Sequence, residues 1–124
     1  MIIGLGIDFV EIKRIKRLWD KYKFRFASKI LNQREIENLS KKDPVEYLAS
    51  RFAAKEAGVK ALGTGFSEGI TFKSLWVAEE KSGRPKLIFE DKAAEVAKRL
   101  KVKRVHLSIS HSKEIAGAVV IIET

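Results

Sequence analysis

The 124-residue chain has no cysteine, which removes disulfide scaffolds, thiolate zinc sites, iron–sulfur clusters and cysteine nucleophiles together and fits a reducing, cytoplasmic setting. Long hydrophobic runs are missing too. Ile115 to Ile122 near the C-terminus spans only eight residues, far below the roughly 18 to 20 that a spanning helix needs, so no membrane crossing is expected. Met1 to Asp8 lacks a basic leader and a small-residue cleavage site, so it is expected to remain in the mature fold. Acids are outnumbered: 25 Lys and Arg against 16 Asp and Glu give a net charge of +9. That balance points to an anionic partner: nucleic acid, a membrane surface, a phosphate ligand or an acidic protein. With 45% hydrophobic residues and no internal repeat, a single domain over 1–124 is expected.

Residues 2–9 alternate Ile3, Leu5 and Ile7 with Gly4, Gly6 and Asp8. This is the two-residue period of a strand, and it places Asp8 on a glycine-lined face that another backbone or a ligand can approach. From Phe9 to Tyr22 the apolar Ile12, Ile15, Trp19 and Tyr22 recur at helical spacing, with Arg14, Arg17 and Lys21 on the opposite side. Short helices are expected over 24–31 and 33–39. Asp43 as cap and Pro44 in the first turn start a long helix, carried by Val45, Leu48, Ala49, Phe52 and Val59 to about Leu62 and stopped by Gly63-Thr64-Gly65. Two β-rich runs at 70–79 and 85–89 flank a polar connection. A helix over 91–101 and strands over 105–110 and 115–123 complete the pattern, whose weak βα alternation predicts an α+β class.

One residue breaks the apolar arc of the long helix. At about 100° per residue, Glu56 falls within the face defined by Leu48, Ala49, Phe52 and Val59. Leu48, Phe52, Glu56 and Lys60 form an i, i+4 ladder, so the Lys60 ammonium can reach the region of the Glu56 carboxylate. A helix-surface ion pair and an inward acid both fit that spacing. Asp8 adds a second acid on an inward-leaning element, and buried carboxylates need cations or donors. Two carboxylates from different elements, without thiolates or paired histidines, suit Mg²⁺, which keeps waters and takes further oxygens from substrate phosphates. Asp8 alone also fits the N-cap of a helix starting at Phe9.

Gly63-Thr64-Gly65 fits a helix C-cap and also a nest of backbone N–H groups for phosphate, but it lacks the spacing and lysine of a Walker loop. His106 and His111 lie five apart and point to opposite faces of a continuous strand, which disfavours a two-histidine metal site. Ser108, Ser110, His111 and Ser112 lack a Gly-x-Ser-x-Gly elbow. His111 at the turn is instead a donor candidate for a phosphate or for a neighbouring backbone group. Between Glu11 and Arg34, nine Lys and Arg face two acids, so most of the net charge forms one patch. A solvated helix face and a dock for an acidic partner both explain it. No nucleic-acid signature accompanies it.

Gly4-Leu5-Gly6-Ile7-Asp8, Arg51-Phe52-Ala53-Ala54-Lys55-Glu56-Ala57-Gly58-Val59-Lys60-Ala61-Leu62-Gly63-Thr64-Gly65, Gly83-Arg84-Pro85 and Leu107-Ser108-Ile109-Ser110-His111-Ser112 together resemble the holo-(acyl-carrier-protein) synthases, small members of the 4′-phosphopantetheinyl transferase superfamily. The resemblance runs from residue 1 to about 122. It implies a small mixed sheet packed against a long helix, with shorter helices. It also implies transfer of phosphopantetheine from coenzyme A to a serine of apo-acyl carrier protein, releasing adenosine 3′,5′-bisphosphate, in fatty acid biosynthesis. Asp8 and Glu56 would then hold Mg²⁺ and Lys60 would stabilise the leaving phosphate. Either Glu56 directly or a metal-bound water polarised by Asp8 would deprotonate the serine. Arg51, Lys60, Gly63, Gly65, Pro85, Ser110 and His111 would bind coenzyme A, and Lys13, Arg14, Arg17 and Lys21 would dock the acidic carrier. Family members are commonly homotrimers with a cofactor cleft between subunits, so Arg51 and His111 would serve a neighbour's Asp8. Gly58 departs from the larger residue often found there, which predicts a loosening of under about 1 kcal/mol. The competing reading is a basic nucleic-acid-binding module without catalysis, but a phosphate-backbone binder gains nothing from Asp8 and Glu56 beside its ligand.

Overall fold

The computed structural model describes residues 1–124. Strand β1 (Ile2–Glu11) leads into α1 (Ile12–Tyr22), α2 (Phe24–Ile30), α3 (Gln33–Leu39) and the long α4 (Pro44–Leu62). A 3-10 turn at Phe72–Ser74 precedes β2 (Leu75–Glu79) and β3 (Pro85–Phe89), followed by α5 (Asp91–Arg99), β4 (Arg104–His111) and β5 (Ile115–Glu123). The class is α+β. The strands expected in one mixed sheet form two antiparallel sheets instead, β1-β5-β4 and the hairpin β2-β3. Both the β2–β3 and the β4–β5 connections are short, which forces antiparallel neighbours.

Helix α4 is the axis of the molecule, and its ends lie where the sequence puts them. Asp43 Oδ1 accepts from the Val45 N–H at 3.0 Å and the Glu46 N–H at 3.3 Å, Pro44 fills the first turn, and Gly63 closes the helix at φ 80°. The three-stranded sheet lies against one side of it. A Cβ on Gly6 would stand 1.9 Å from the Ala57 carbonyl oxygen, and one on Gly4 2.1 Å from that of Ala61. The glycine face of β1 is therefore filled by the helix backbone rather than by a ligand. On another side, a Cβ on Gly58 would meet Leu87 at 2.7 Å and Leu75 at 3.0 Å. This glycine lets the β2–β3 hairpin seat on α4, so it is a packing requirement rather than the loosened point expected of a helical glycine.

The inner face of the sheet buries Val10, Ala116, Ala118, Val120 and Ile122. Its outer face is also apolar, with Leu5 60% and Phe9 67% exposed beside Ile3 and Ile7. Phe9 lies across Gly117, where a Cβ would stand 2.8 Å from its ring.

Three boundaries differ from expectation. Phe9, Val10 and Glu11 do not begin a helix; they extend β1 by pairing with Gly117, Ala116 and Ile115. The helix starts at Ile12 with Glu11, not Asp8, at its N-cap position, so Asp8 is no capping residue. The run from Ile70 becomes strand only at Leu75, because Thr71 and Ser74 form a capping box around the 3-10 turn. Helix α5 ends at Arg99, before Lys101 at φ 61°. No helix is long and apolar enough to cross a membrane.

Candidate active site

Pairing of Asp8 with Ala118 turns the acid to the same face as Gly4 and Gly6, and the close seam brings Glu56 of α4 next to it. Burial, and then the negative charge of Asp8, pushes the Glu56 carboxyl up from its ordinary value, opposed by Lys60 and Arg14. The i, i+4 ladder does not end in a Glu56–Lys60 pair. Lys60 Nζ crosses to the strand instead, donating to Asp8 Oδ1 at 3.1 Å and to the Ile7 carbonyl at 3.1 Å. The Asp8 side chain is 16% exposed and that of Lys60 51%, so one partner is sheltered and the other reaches solvent. At the rim, the Arg14 guanidinium of α1 lies 5.5 Å over the Phe52 ring.

Asp8 and Glu56 are the residues able to hold a cation here. The chain gathers no cluster of three or more His, Cys, Asp or Glu. Two carboxylates that offer only oxygen ligands fit a hard divalent ion that takes its remaining ligands from water and phosphate.

A second constellation occupies a cleft of about 310 Å³ lined by Arg51, His111, Pro85, Gly83, Tyr47 and Ser50, among others. The Arg51 guanidinium stacks 4.2 Å over the Tyr47 ring, donates to Ser50 Oγ at 3.0 Å and lies 3.7 Å from Glu79. Its Nε is buried without a hydrogen-bond partner. His111 Nδ1 is 3.4 Å from Glu46. Arg51, Pro85 and His111 thus converge, but Asp8, Glu56 and Lys60 do not line this cleft. Ser110 faces the outer surface of the sheet beside Ile7 and Phe9. The amides of Gly63, Thr64 and Gly65 donate to Lys60 and Val59 carbonyls at 3.0 to 3.2 Å. They form a cap rather than a phosphate nest, so any role of Gly63 and Gly65 in nucleotide binding rests on the shape of the turn. His106 pairs with Glu123 at 2.5 Å, away from His111.

Residues 4–120 match the family model of the 4′-phosphopantetheinyl transferase superfamily. The chain belongs to this superfamily. The transferase is 56% identical over 123 residues to the holo-[acyl-carrier-protein] synthase of Maridesulfovibrio salexigens, covering 99% of each chain. It superposes on the crystal structure of holo-[acyl-carrier-protein] synthase from Neisseria meningitidis with a TM-score of 0.93 at 36% identity over 100% of both chains. The corresponding protein of Bacillus anthracis, solved in complex with CoA (3′,5′-ADP), gives 0.83 at 38% identity over 100% of this chain and 98% of that one.

On the transferase surface, Lys13, Arg14, Arg17 and Lys21 all project from the exposed side of α1, within about 100° of helix surface. What sequence reasoning missed is Lys55. It is fully buried and pairs with buried Glu35 at 2.5 Å; burial lowers its ammonium from the usual lysine range, opposed by Glu35. The signal was present: Lys55 stands seven residues after Leu48 and four before Val59, on the same apolar arc that singled out Glu56.

Proposed function

We infer that the transferase moves the 4′-phosphopantetheine group of coenzyme A to a serine hydroxyl of apo-acyl carrier protein, releasing adenosine 3′,5′-bisphosphate. The observation that carries this reading is the meeting of Asp8, Glu56 and Lys60 between β1 and α4 in a chain of this superfamily. Asp8 and Glu56 would hold Mg²⁺, which when bound supplies positive charge to the diphosphate oxygens. Glu56, directly or through a water polarised by Asp8, accepts the proton of the carrier serine as that oxygen attacks the phosphorus bearing the arm. Lys60 offers its ammonium to the leaving phosphate. Arg51 and His111, which line one cleft with Pro85, bind the nucleotide phosphates. The α1 lysines and arginines dock the acidic carrier, with Arg14 nearest the acids.

The separation of Arg51 and His111 from Asp8 in one chain, and the apolar outer face of β1, support a homotrimer in which one subunit's cleft completes a neighbour's acid pair. Sedimentation of the purified chain tests this: three copies are expected, and a stable monomer that turns over removes the shared site. The setting is cytoplasmic fatty acid biosynthesis. Incubation with coenzyme A, apo-carrier and Mg²⁺ should add one arm to the carrier by intact mass, and removal of divalent metal should stop it. A carrier that stays unmodified under every divalent metal overturns the activity.

A further inference from the structure

The mechanism uses Glu56 and Lys60 but leaves Lys55, next to Glu56 in the chain and fully buried, without a task. Lys55 Nζ donates to the Ile30 carbonyl at 2.6 Å and to Glu35 Oε1 at 2.5 Å. The Glu35 carboxylate is fully committed: Oε1 also accepts from the Asn32 N–H at 3.1 Å and Oε2 from the Val77 N–H at 2.9 Å. One side chain on α4 is thereby tied to the end of α2, the start of α3 and the middle of β2. Stability alone is a weak reason for such a pair, because apolar residues of similar volume commonly replace buried ion pairs without loss. Direction is what an ion pair adds.

The opposite side of α4 lacks direction. There Gly4 and Gly6 lie against the Ala57 and Ala61 carbonyls, a smooth seam whose small residues fix how near the helix comes but interlock little against its rotation. Glu56 stands about 100° around the helix from Lys55 on one side and about 100° from Ala57 on the other. A rotation of about 10° at a radius of about 6 Å would move its carboxylate by about 1 Å. We propose that the buried Lys55–Glu35 pair is a rotational stop for α4, making both residues positioning residues that set the Glu56 carboxylate against Asp8. The inference rests on the transferase reading above, in which that placement decides turnover.

The test is the double variant Lys55→Met with Glu35→Gln, which removes both charges and keeps the volume. Folding is checked by circular dichroism, and the metal site is probed with Mn²⁺ alone by electron paramagnetic resonance. The expected result is a folded protein whose kcat falls roughly 10- to 100-fold, the penalty of a misplacement of about 1 Å, with KM for coenzyme A and carrier within about twofold and weakened Mn²⁺ binding. A folded double variant with wild-type kcat and Mn²⁺ affinity overturns the proposal and leaves the pair a stability element. If the double variant does not fold, Glu35→Asp, which keeps both charges but retracts the carboxylate by one methylene, takes its place. A several-fold lower kcat at unchanged KM then supports the stop, and wild-type kcat overturns it. Wild-type protein run alongside separates the two questions, because failure of wild type to load the carrier sinks the activity itself.

Discussion

Two lysines five residues apart on α4 each reach a carboxylate on another element, one in a dry interior and one at a half-wet edge. Lys55 and Glu35 are both fully enclosed, and every carboxylate oxygen of Glu35 is engaged by backbone N–H groups as well. Lys60 is half exposed, and its bond to Asp8 is longer, at 3.1 Å. The first pair can change partners only if the surrounding elements separate. The second can release Asp8 to another cation while water solvates the freed ammonium. The same ammonium and carboxylate chemistry is a fixture where it is desolvated and free to exchange partners where it is not.

The contrast is broken most decisively at the wet edge. Glu56→Gln should lower turnover by about 10²- to 10⁴-fold while its urea midpoint stays near wild type; a wild-type rate would strip that edge of its chemical role. Next is stability. Lys55→Met strands the Glu35 carboxylate and should cost about 3–5 kcal/mol by urea denaturation, whereas Lys60→Met should change stability by under about 1 kcal/mol. Similar losses in the two would erase the distinction between the fixed and the exchangeable pair. Arg14→Glu, which reverses charge at the rim, should raise KM for the carrier roughly tenfold and flatten its salt dependence while sparing KM for coenzyme A. Equal losses for both substrates would move the docking surface elsewhere.

The smallest expected effect is a pH slope in the metal-free protein. Because the folded-state value of Glu56 is raised, the native protein keeps a proton that the unfolded chain has already released. Stability should therefore fall as pH climbs from the ordinary carboxylate range through the raised value, and Glu56→Gln should remove that slope in urea titrations at stepped pH.

Much of this arrangement was legible in the chain. Asp43, Pro44 and Gly63 fix both ends of α4 through local chemistry that needs no tertiary partner, and the alternation around Gly4 and Gly6 put Asp8 on the face that α4 covers. The angular position of Glu56 admitted an inward acid as well as a surface ion pair, and the fold half-buries it. What escaped depends on contacts distant in sequence. Phe9 and Val10 carry helix-compatible spacing, yet they follow β5 because Gly117 and Ala116 offer them strand partners. Lys60 reaches 52 residues back to Asp8 rather than four to Glu56. The meeting of Lys55 with Glu35 required knowing that the start of α3 comes within reach of α4, and periodicity within a single helix carries no such information.

Successive residues of a strand face opposite ways, so Asp8 is flanked one peptide on either side by Ile7 and Phe9 on the outer surface of the sheet. The backbone that aims the acid is the same backbone that presents the oily surface. Polar replacements of Ile7 or Phe9, attractive to anyone wishing to raise solubility, would act on the same strand that carries the acid.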